Sequence, residues 1–362
     1  MAQREVDPRL KELFDRGEKL YSISKLNNID TCEYQAYLTY IVKEKGLGNC
    51  YNILGSQIHD CLEKIMNGLS DESELPVVLQ KELDDIDMLG ITFPSDRNGG
   101  VSIRDHWIAD MSDFCNNFVK PEGKFDTEQL FIFRTPEGAY LQGYIDLIRY
   151  NKDGSISIYD WKTSSQFSSE NLRHHGRQLV LYALAKEQEG YNVKNVAWIM
   201  LKYAEISFWG KARKNSKEDT LIKKVCSRSK IVSEIRSYIE RDLEQLGYSE
   251  LDIELMINEA VKNNSLNKLP DNVRDKYTVK PYVRQYELTD EIKQETLTYI
   301  KEKIAQYESK SDDENDWTPM NITDKNSFYC NNLCGYRKKC RFIATHNAIK
   351  SGFYHKENDD LF

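Results

Sequence analysis

The chain has 362 residues, of which 40% are hydrophobic and 30% charged, and a formal net charge of -8. These values exclude a disordered chain and one that coats nucleic acid nonspecifically, although a local basic groove is compatible with them. No apolar run approaches the roughly 20 residues of a membrane-spanning helix, and Met1 to Asp7 lacks the apolar stretch of a signal peptide, so a cytoplasmic protein of one or two domains is expected.

Residues 1–20 are charged with a helical pattern, and Ser22 to Lys43 reads as a second helix or helix pair offering Ile29, Tyr34, Tyr37, Leu38 and Ile41 for burial. Gly46 and Gly48 break it. Ser56 is placed to cap a helix running to about Met66, with Ile58, Leu62 and Ile65 as its apolar stripe and His59 one turn after Gly55. Ser70 to Ser95 reads as an acidic loop with a short helix around Val77 to Leu83. A helix at about Ile103 to Phe118 then precedes a strand at about Glu128 to Arg134.

Tyr140 to Tyr150 and Ser155 to Trp161 alternate as strands, with turn chemistry in Lys152, Asp153 and Gly154 between them. If Gly154 is left-handed in a three-residue turn, Asn151 faces Ser155 and Asp146 comes opposite Asp160. Facing carboxylates repel unless a cation lies between them, so this pair suits a hard divalent ion. Asp160 and Lys162 share one face and Trp161 takes the other. An ion beside an ammonium fits cleavage of a phosphodiester. Taken alone, an Asp-x-Lys tripeptide more often marks a solvated hairpin, and the rest of the chain has to turn that balance.

Ser168 or Ser169 caps a long helix to about Glu189, with Gln178 and Tyr182 four residues apart on one face, and Val193 to Tyr203 is an apolar strand. This order implies an α/β arrangement, a mixed sheet with a helix packed across it. Beyond Trp209, residues 211–310 read as a helical, partly basic insertion. Lys211, Arg213, Lys214, Lys223, Lys224, Arg228 and Lys230 there form either a phosphate-tracking surface or a solvated helix face. Ser311 to Asp316 is an acidic loop.

Cys50, Cys61, Cys115 and Cys226 lie in or beside apolar stretches and read as buried small hydrophobes. Cys330, Cys334 and Cys340 are crowded together, which without a secretion signal points to a metal or an iron-sulfur cluster rather than disulfides. Cys32, in an amphipathic segment, is the candidate fourth ligand. Thiolates alone do not decide between zinc and iron.

These pieces resemble the RecB-like branch of the PD-(D/E)XK nuclease superfamily, in particular its iron-sulfur members such as the AddB-type recombination nucleases and the CRISPR spacer-acquisition nucleases. The family's helix motif with a glycine and a metal-binding histidine is similar to Gly55-Ser56-Gln57-Ile58-His59. Its G-x-x-D strand is similar to Gly143-Tyr144-Ile145-Asp146, its D-x-K strand to Asp160-Trp161-Lys162, and its Q-x-x-x-Y helix to Gln178-Leu179-Val180-Leu181-Tyr182. Cys32 with Cys330, Cys334 and Cys340 resembles the split cluster-ligand set, except that three residues rather than the family's usual two separate Cys330 from Cys334. The resemblance runs from about Ser22 to Arg341, and no motif covers 211–310.

What it implies is a restriction-endonuclease-like α/β fold, a mixed central sheet flanked by helices. The expected organisation is an N-terminal helical segment (1–54), a nuclease core (55–210), the insertion (211–310) and a C-terminal cysteine segment (311–362) joined to the N-terminus by an iron-sulfur clasp. The resemblance implies magnesium or manganese on His59, Asp146, Asp160 and the Trp161 carbonyl, and Lys162 acting on the attacking water. Gln178 and Tyr182 would position the site or contact DNA, and the cysteines would hold a 4Fe-4S cluster, with zinc as the alternative. The implied activity is a metal-dependent DNA exonuclease in recombination, repair or end processing. Its partners would be DNA with a free or single-stranded end and helicase or recombination proteins, and the Asn, Lys and Tyr bias suggests a phage-encoded chain. The competing expectations are a nuclease-fold DNA-binding or assembly subunit that no longer cuts, and a sequence-specific endonuclease.

Overall fold

The computed structural model describes residues 7–95, 102–211 and 218–352. Asp7 caps α1 (Pro8–Asp15), its carboxylate accepting from the Arg9 amide, and Pro8 supplies a helical φ where no amide hydrogen is needed. The short strand β1 (Leu20–Tyr21) leads to α2 (Ile23–Thr31), capped by Ser22. Next come α3 (Glu33–Ala36) and a π-helical turn, Tyr37–Ile41. The stretch expected as a helix pair is thus split at Cys32, whose extended backbone ends one helix and begins the next.

Helix α4 (Cys50–Met66) starts well before Ser56, because Asn49 is its cap and accepts from the Asn52 amide at 3.0 Å. The segment read as an acidic loop is largely α5 (Glu74–Met88). Leu75, Leu79, Leu83 and Ile86 recur at helical spacing and are buried, which outweighs the acidic composition. Then follow α6 (Ile103–Asn117), β2 (Lys124–Arg134), β3 (Tyr140–Tyr150), β4 (Ile156–Lys162), α7 (Ser169–Gln188) and β5 (Val193–Gly210). The remainder is β6 (Thr220–Ser227), α8 (Ile231–Gln245), α9 (Glu250–Asn263), α10 (Asp271–Arg274), β7 (Thr278–Tyr286), α11 (Asp290–Glu308) and α12 (Arg341–Lys350).

Among the described residues the strands form one mixed sheet of seven. β3 is antiparallel to β2 and to β4, β1 is parallel to β3, and β4 is parallel to β5. The α7 crossover makes that parallel pair possible. Both β6 and β7 lie antiparallel to β5, so 211–310 is not simply a helical insertion and adds strands to the central sheet. The cause is the length of β5. Its distal half outruns β4, and its backbone donors and acceptors are satisfied by these two strands.

One core, around Leu179, Tyr182 and Trp198, packs α2, α7 and α11 on one face of the sheet. A second, around Ile58, Phe114 and Trp161, packs α4, α5 and α6 on the other, and a third joins α8 and α9 to the distal half of β5. Among the described residues no helix is long and apolar enough to cross a membrane.

Candidate active site

The hairpin turn closes as its residues demand. Gly154 has φ 82°, and the Asn151 amide donates to the Ser155 carbonyl at 2.9 Å. Leu147 then pairs with Tyr159, which sets Asp146 opposite Asp160 one step beyond the last bridged pair.

Strand alternation breaks at Asp146. Ile145 lies in the core beneath α7, yet Leu147, two residues on, lies in the core beneath α4. Across β2 the position between Thr127 (paired with Leu147) and Gln129 (paired with Ile145) is Glu128, whose φ of 46° is left-handed. That conformation costs a non-glycine residue about 1–2 kcal/mol and gathers at functional sites. Glu128 was not among the expected site residues, although counting the register back from Asp146 would have reached it. Its charge bears on both Asp146 and Tyr182.

The Asp146 Oδ2 accepts the Trp161 amide at 3.0 Å and lies 3.5 Å from His59 Nδ1. Burial, and then the charge of Asp160, push the Asp146 carboxyl well above the usual carboxylate range. Burial lowers the affinity of His59 for a proton, against the pull of Asp160, and so favours the neutral ring that can ligate a metal. The Lys162 Nζ lies 2.6 Å from Asp160 Oδ2 as a buried ion pair. Burial disfavours the ammonium, but Asp160 and Asp146 outweigh it, and Lys162 stays charged. The same Nζ donates to Gln178 Oε1 at 3.3 Å, and Gln178 Nε2 donates to the Tyr182 hydroxyl at 2.7 Å.

Two glycines make room for this constellation. A Cβ on Gly143 would come within 2.8 Å of the Phe131 ring, which in turn packs its edge against Tyr182 at 5.4 Å. A Cβ on Gly55 would stand 3.1 Å from Thr163 Oγ1, so glycine lets α4 close on the end of β4 and brings His59 to Asp146. His59, Asp146, Asp160, Trp161, Lys162, Gln178 and Tyr182 are thus brought together by one sheet end and two helices. Two carboxylates and an imidazole are a donor set suited to magnesium or manganese, and the mutual repulsion of the buried Asp146 and Asp160 marks where positive charge fits. Among the described residues no three or more His, Cys, Asp or Glu side chains close on a common point as a metal site. Here the Asp146 and Asp160 oxygens turn to the Trp161 amide and to Lys162.

Cys32, Cys330, Cys334 and Cys340 line one apolar cavity between the N-terminal helices and the C-terminal segment. Burial raises the Cys32 and Cys334 thiols and takes Cys330 to about 11, and the neighbouring thiols add to each shift. The sulfurs keep separate partners. Cys32 Sγ accepts the Met320 amide at 3.4 Å, and the Cys334 thiol donates to Gln35 Oε1 at 3.5 Å. Cys50, Cys61, Cys115 and Cys226 are buried in the cores, as small hydrophobes.

Part of the expected basic patch is neutralised by ion pairs, while Lys211 and Lys230 are exposed. Lys223 pairs with Glu205 at 3.3 Å and Lys224 with Glu234 at 2.8 Å, and Arg228 is buried against Asp113 at 3.1 Å. Acidic neighbours from β5, α6 and α8 account for it. Arg213 and Lys214 lie outside the described residues.

No curated protein matches the chain. The model of one family, the PD-(D/E)XK nuclease superfamily, matches residues 21–341. That span holds the carboxylate pair, the lysine, the histidine and the glutamine helix on a mixed sheet flanked by helices, and the chain belongs to this superfamily.

Proposed function

We propose that the protein is a metal-dependent DNA exonuclease of the RecB-like, iron-sulfur kind, acting on DNA ends in recombination, repair or end processing, in a phage setting. The observation that carries the reading is the unbroken chain of contacts from His59 through Asp146 and the Trp161 amide, and from Asp160 through Lys162 and Gln178 to Tyr182. A magnesium or manganese ion on His59, Asp146, Asp160 and the Trp161 carbonyl would supply Lewis acidity to the scissile phosphate and its water. Lys162, held by Gln178, points its charge where negative charge grows on the phosphate and orients the attacking water. Tyr182 holds Gln178 and keeps the lysine in place.

On the same reading the four cavity cysteines hold a 4Fe-4S cluster, or zinc in its stead. Their shared apolar cavity and separation along the chain support a structural clasp rather than a part in cleavage. DNA with a free or single-stranded end is the proposed partner, alongside helicase or recombination proteins.

The test is incubation with linear and circular DNA in magnesium or manganese, beside Lys162→Ala. Linear DNA is expected to be degraded and circles spared, with the variant slower by about a hundred- to a thousandfold. Equal cutting of circles would favour an endonuclease. Absence of any metal-dependent cutting would defeat the reading and leave a binding or assembly subunit.

A further inference from the structure

A groove of about 950 Å³ runs beside the candidate active site, between α6, the start of α4 and the C-terminal cysteine segment. It adjoins the smaller pocket that holds His59, Trp161 and Lys162, and Tyr51, Asn52, Thr163 and Ser164 form the wall common to both. The groove is therefore continuous with the pocket at His59 and Lys162.

One wall residue has no structural occupation. Lys202 is only 8% exposed, yet it makes no hydrogen bond and no ion pair. Asp110, whose charge acts on it, accepts on Oδ1 from the Ser229 amide at 2.9 Å and the Ser229 hydroxyl at 2.6 Å. Burial lowers the proton affinity of Lys202, with only Asp110 pulling the other way. A largely buried lysine that no hydrogen bond or ion pair holds is a costly device for stability alone. In the same wall the buried Trp107 Nε1 also lacks an acceptor. Lys202 lines a space large enough for a ligand rich in acceptors.

The backbone delivers Lys202 there. β5 pairs with β7 at Met200 and resumes only at Ala204, opposite Pro281, so residues 201–203 bulge out of the ladder. Met200 is the β5 partner of Lys162. Lys202 thus lies two residues beyond the catalytic lysine's neighbour, about 7 Å along the strand. The wall also carries Tyr51, Tyr203, Phe328, Asn49 and Asn52, beside His106, Asp110 and aliphatic side chains.

We infer that this groove holds a single strand of DNA, with Lys202 binding a phosphate one or two nucleotides from the bond cut at Asp160 and Lys162. The inference rests on the nuclease reading above and names the strand's path into that site. Aromatic rings in the wall are groups on which unpaired bases can stack, whereas a duplex keeps its base faces to itself. Lys202 is a positioning residue and does not touch the reacting atoms.

The experiment measures anisotropy of a fluorescein-labelled oligothymidylate, in chelator so that nothing is cut, across a salt series, for the wild type, Lys202→Met and Lys202→Arg. Lys202→Met should weaken binding about tenfold and flatten the log–log salt slope by about 0.7, the loss of one phosphate contact, while Lys202→Arg keeps the slope. A purely structural role would move the melting temperature and leave the slope alone. Wild-type affinity and slope in Lys202→Met overturn the inference. So does a blunt duplex that competes for the groove as well as the single strand. Should Lys202→Met fail to fold, acetylation of the wild-type protein decides: oligothymidylate is expected to protect Lys202, and an unprotected Lys202 overturns the proposal. A wild type that cuts DNA while Lys202→Met matches its slope sinks this inference alone. A wild type that neither binds nor cuts DNA sinks the nuclease reading with it.

Discussion

At the scale of single residues, chemistry and backbone are assigned by different rules. Asp146, Asp160 and Lys162 could be picked out because period two and a glycine turn place them without reference to distant chain. The position of Glu128 could be reached by counting register, but its left-handed φ could not, since that arises only when β2 pairs with β3 beside Asp146. The strain and the crowding of like charge there predict a trade between stability and function. Glu128→Gly should raise the melting temperature, by relief of about 1–2 kcal/mol, and lower the rate of DNA cleavage. A variant that melts lower and cuts as fast as wild type would remove Glu128 from the site. Gly143 belongs to the same scale: its glycine serves Phe131, and through that ring Tyr182.

Elements add what single residues lack, a fixed distance between faces. Helix α7 carries Gln178 to Lys162, and it lies so close to β7 that a Cβ on Gly176 would come 2.1 Å from Tyr286 Cζ. Gly176→Ala should therefore destabilise by about 1–3 kcal/mol, although alanine is the better helix former. Adding Tyr286→Ala should recover part of the loss in chemical denaturation; no recovery would mean the helix and strand are not in contact there. The same helix makes the protein sensitive to acid. His175 stacks on Phe167 with ring centroids 4.0 Å apart, and burial, then the charges of His174 and Lys162, lower its pKa to about 4. In the unfolded chain it titrates near 6.5, so between those values the unfolded state alone takes the proton. Stability is thus fully present above about 6.5 and declines as the pH falls toward 4. His175→Phe, which keeps the stack, should flatten the melting temperature across that window; an unchanged profile would assign the acid sensitivity elsewhere. The boundaries of α4 and α5 were misread for a related reason. Asn49 as a cap and the leucine stripe of α5 outweigh the nearer serine and the acidic composition.

For the whole molecule, residues 47–49 meet residues 333–337. The Leu47 amide donates to the Gly335 carbonyl at 2.8 Å, Asn49 Nδ2 to the Leu333 carbonyl at 3.1 Å and Arg337 Nη2 to the Gly48 carbonyl at 2.8 Å. A cross-link at this junction would close nearly the entire chain as one loop, where its entropic effect on the unfolded state is largest. Cys334→Ala should then bleach the visible absorption of an iron-sulfur protein and lower its melting temperature. A colourless wild type of full stability would leave only the polar contacts as the clasp. What the sequence by itself determined is local: the hairpin, its turn, the pairing of two aspartates and the helix with Gln178 and Tyr182, each governed by spacings of a few residues. The tertiary structure decided the rest. The strands β6 and β7, the bulge that turns Lys202 into the groove, the strained Glu128 and the meeting of Cys32 with the C-terminal cysteines depend on which distant backbones share a ladder or a cavity, and no local spacing encodes that choice.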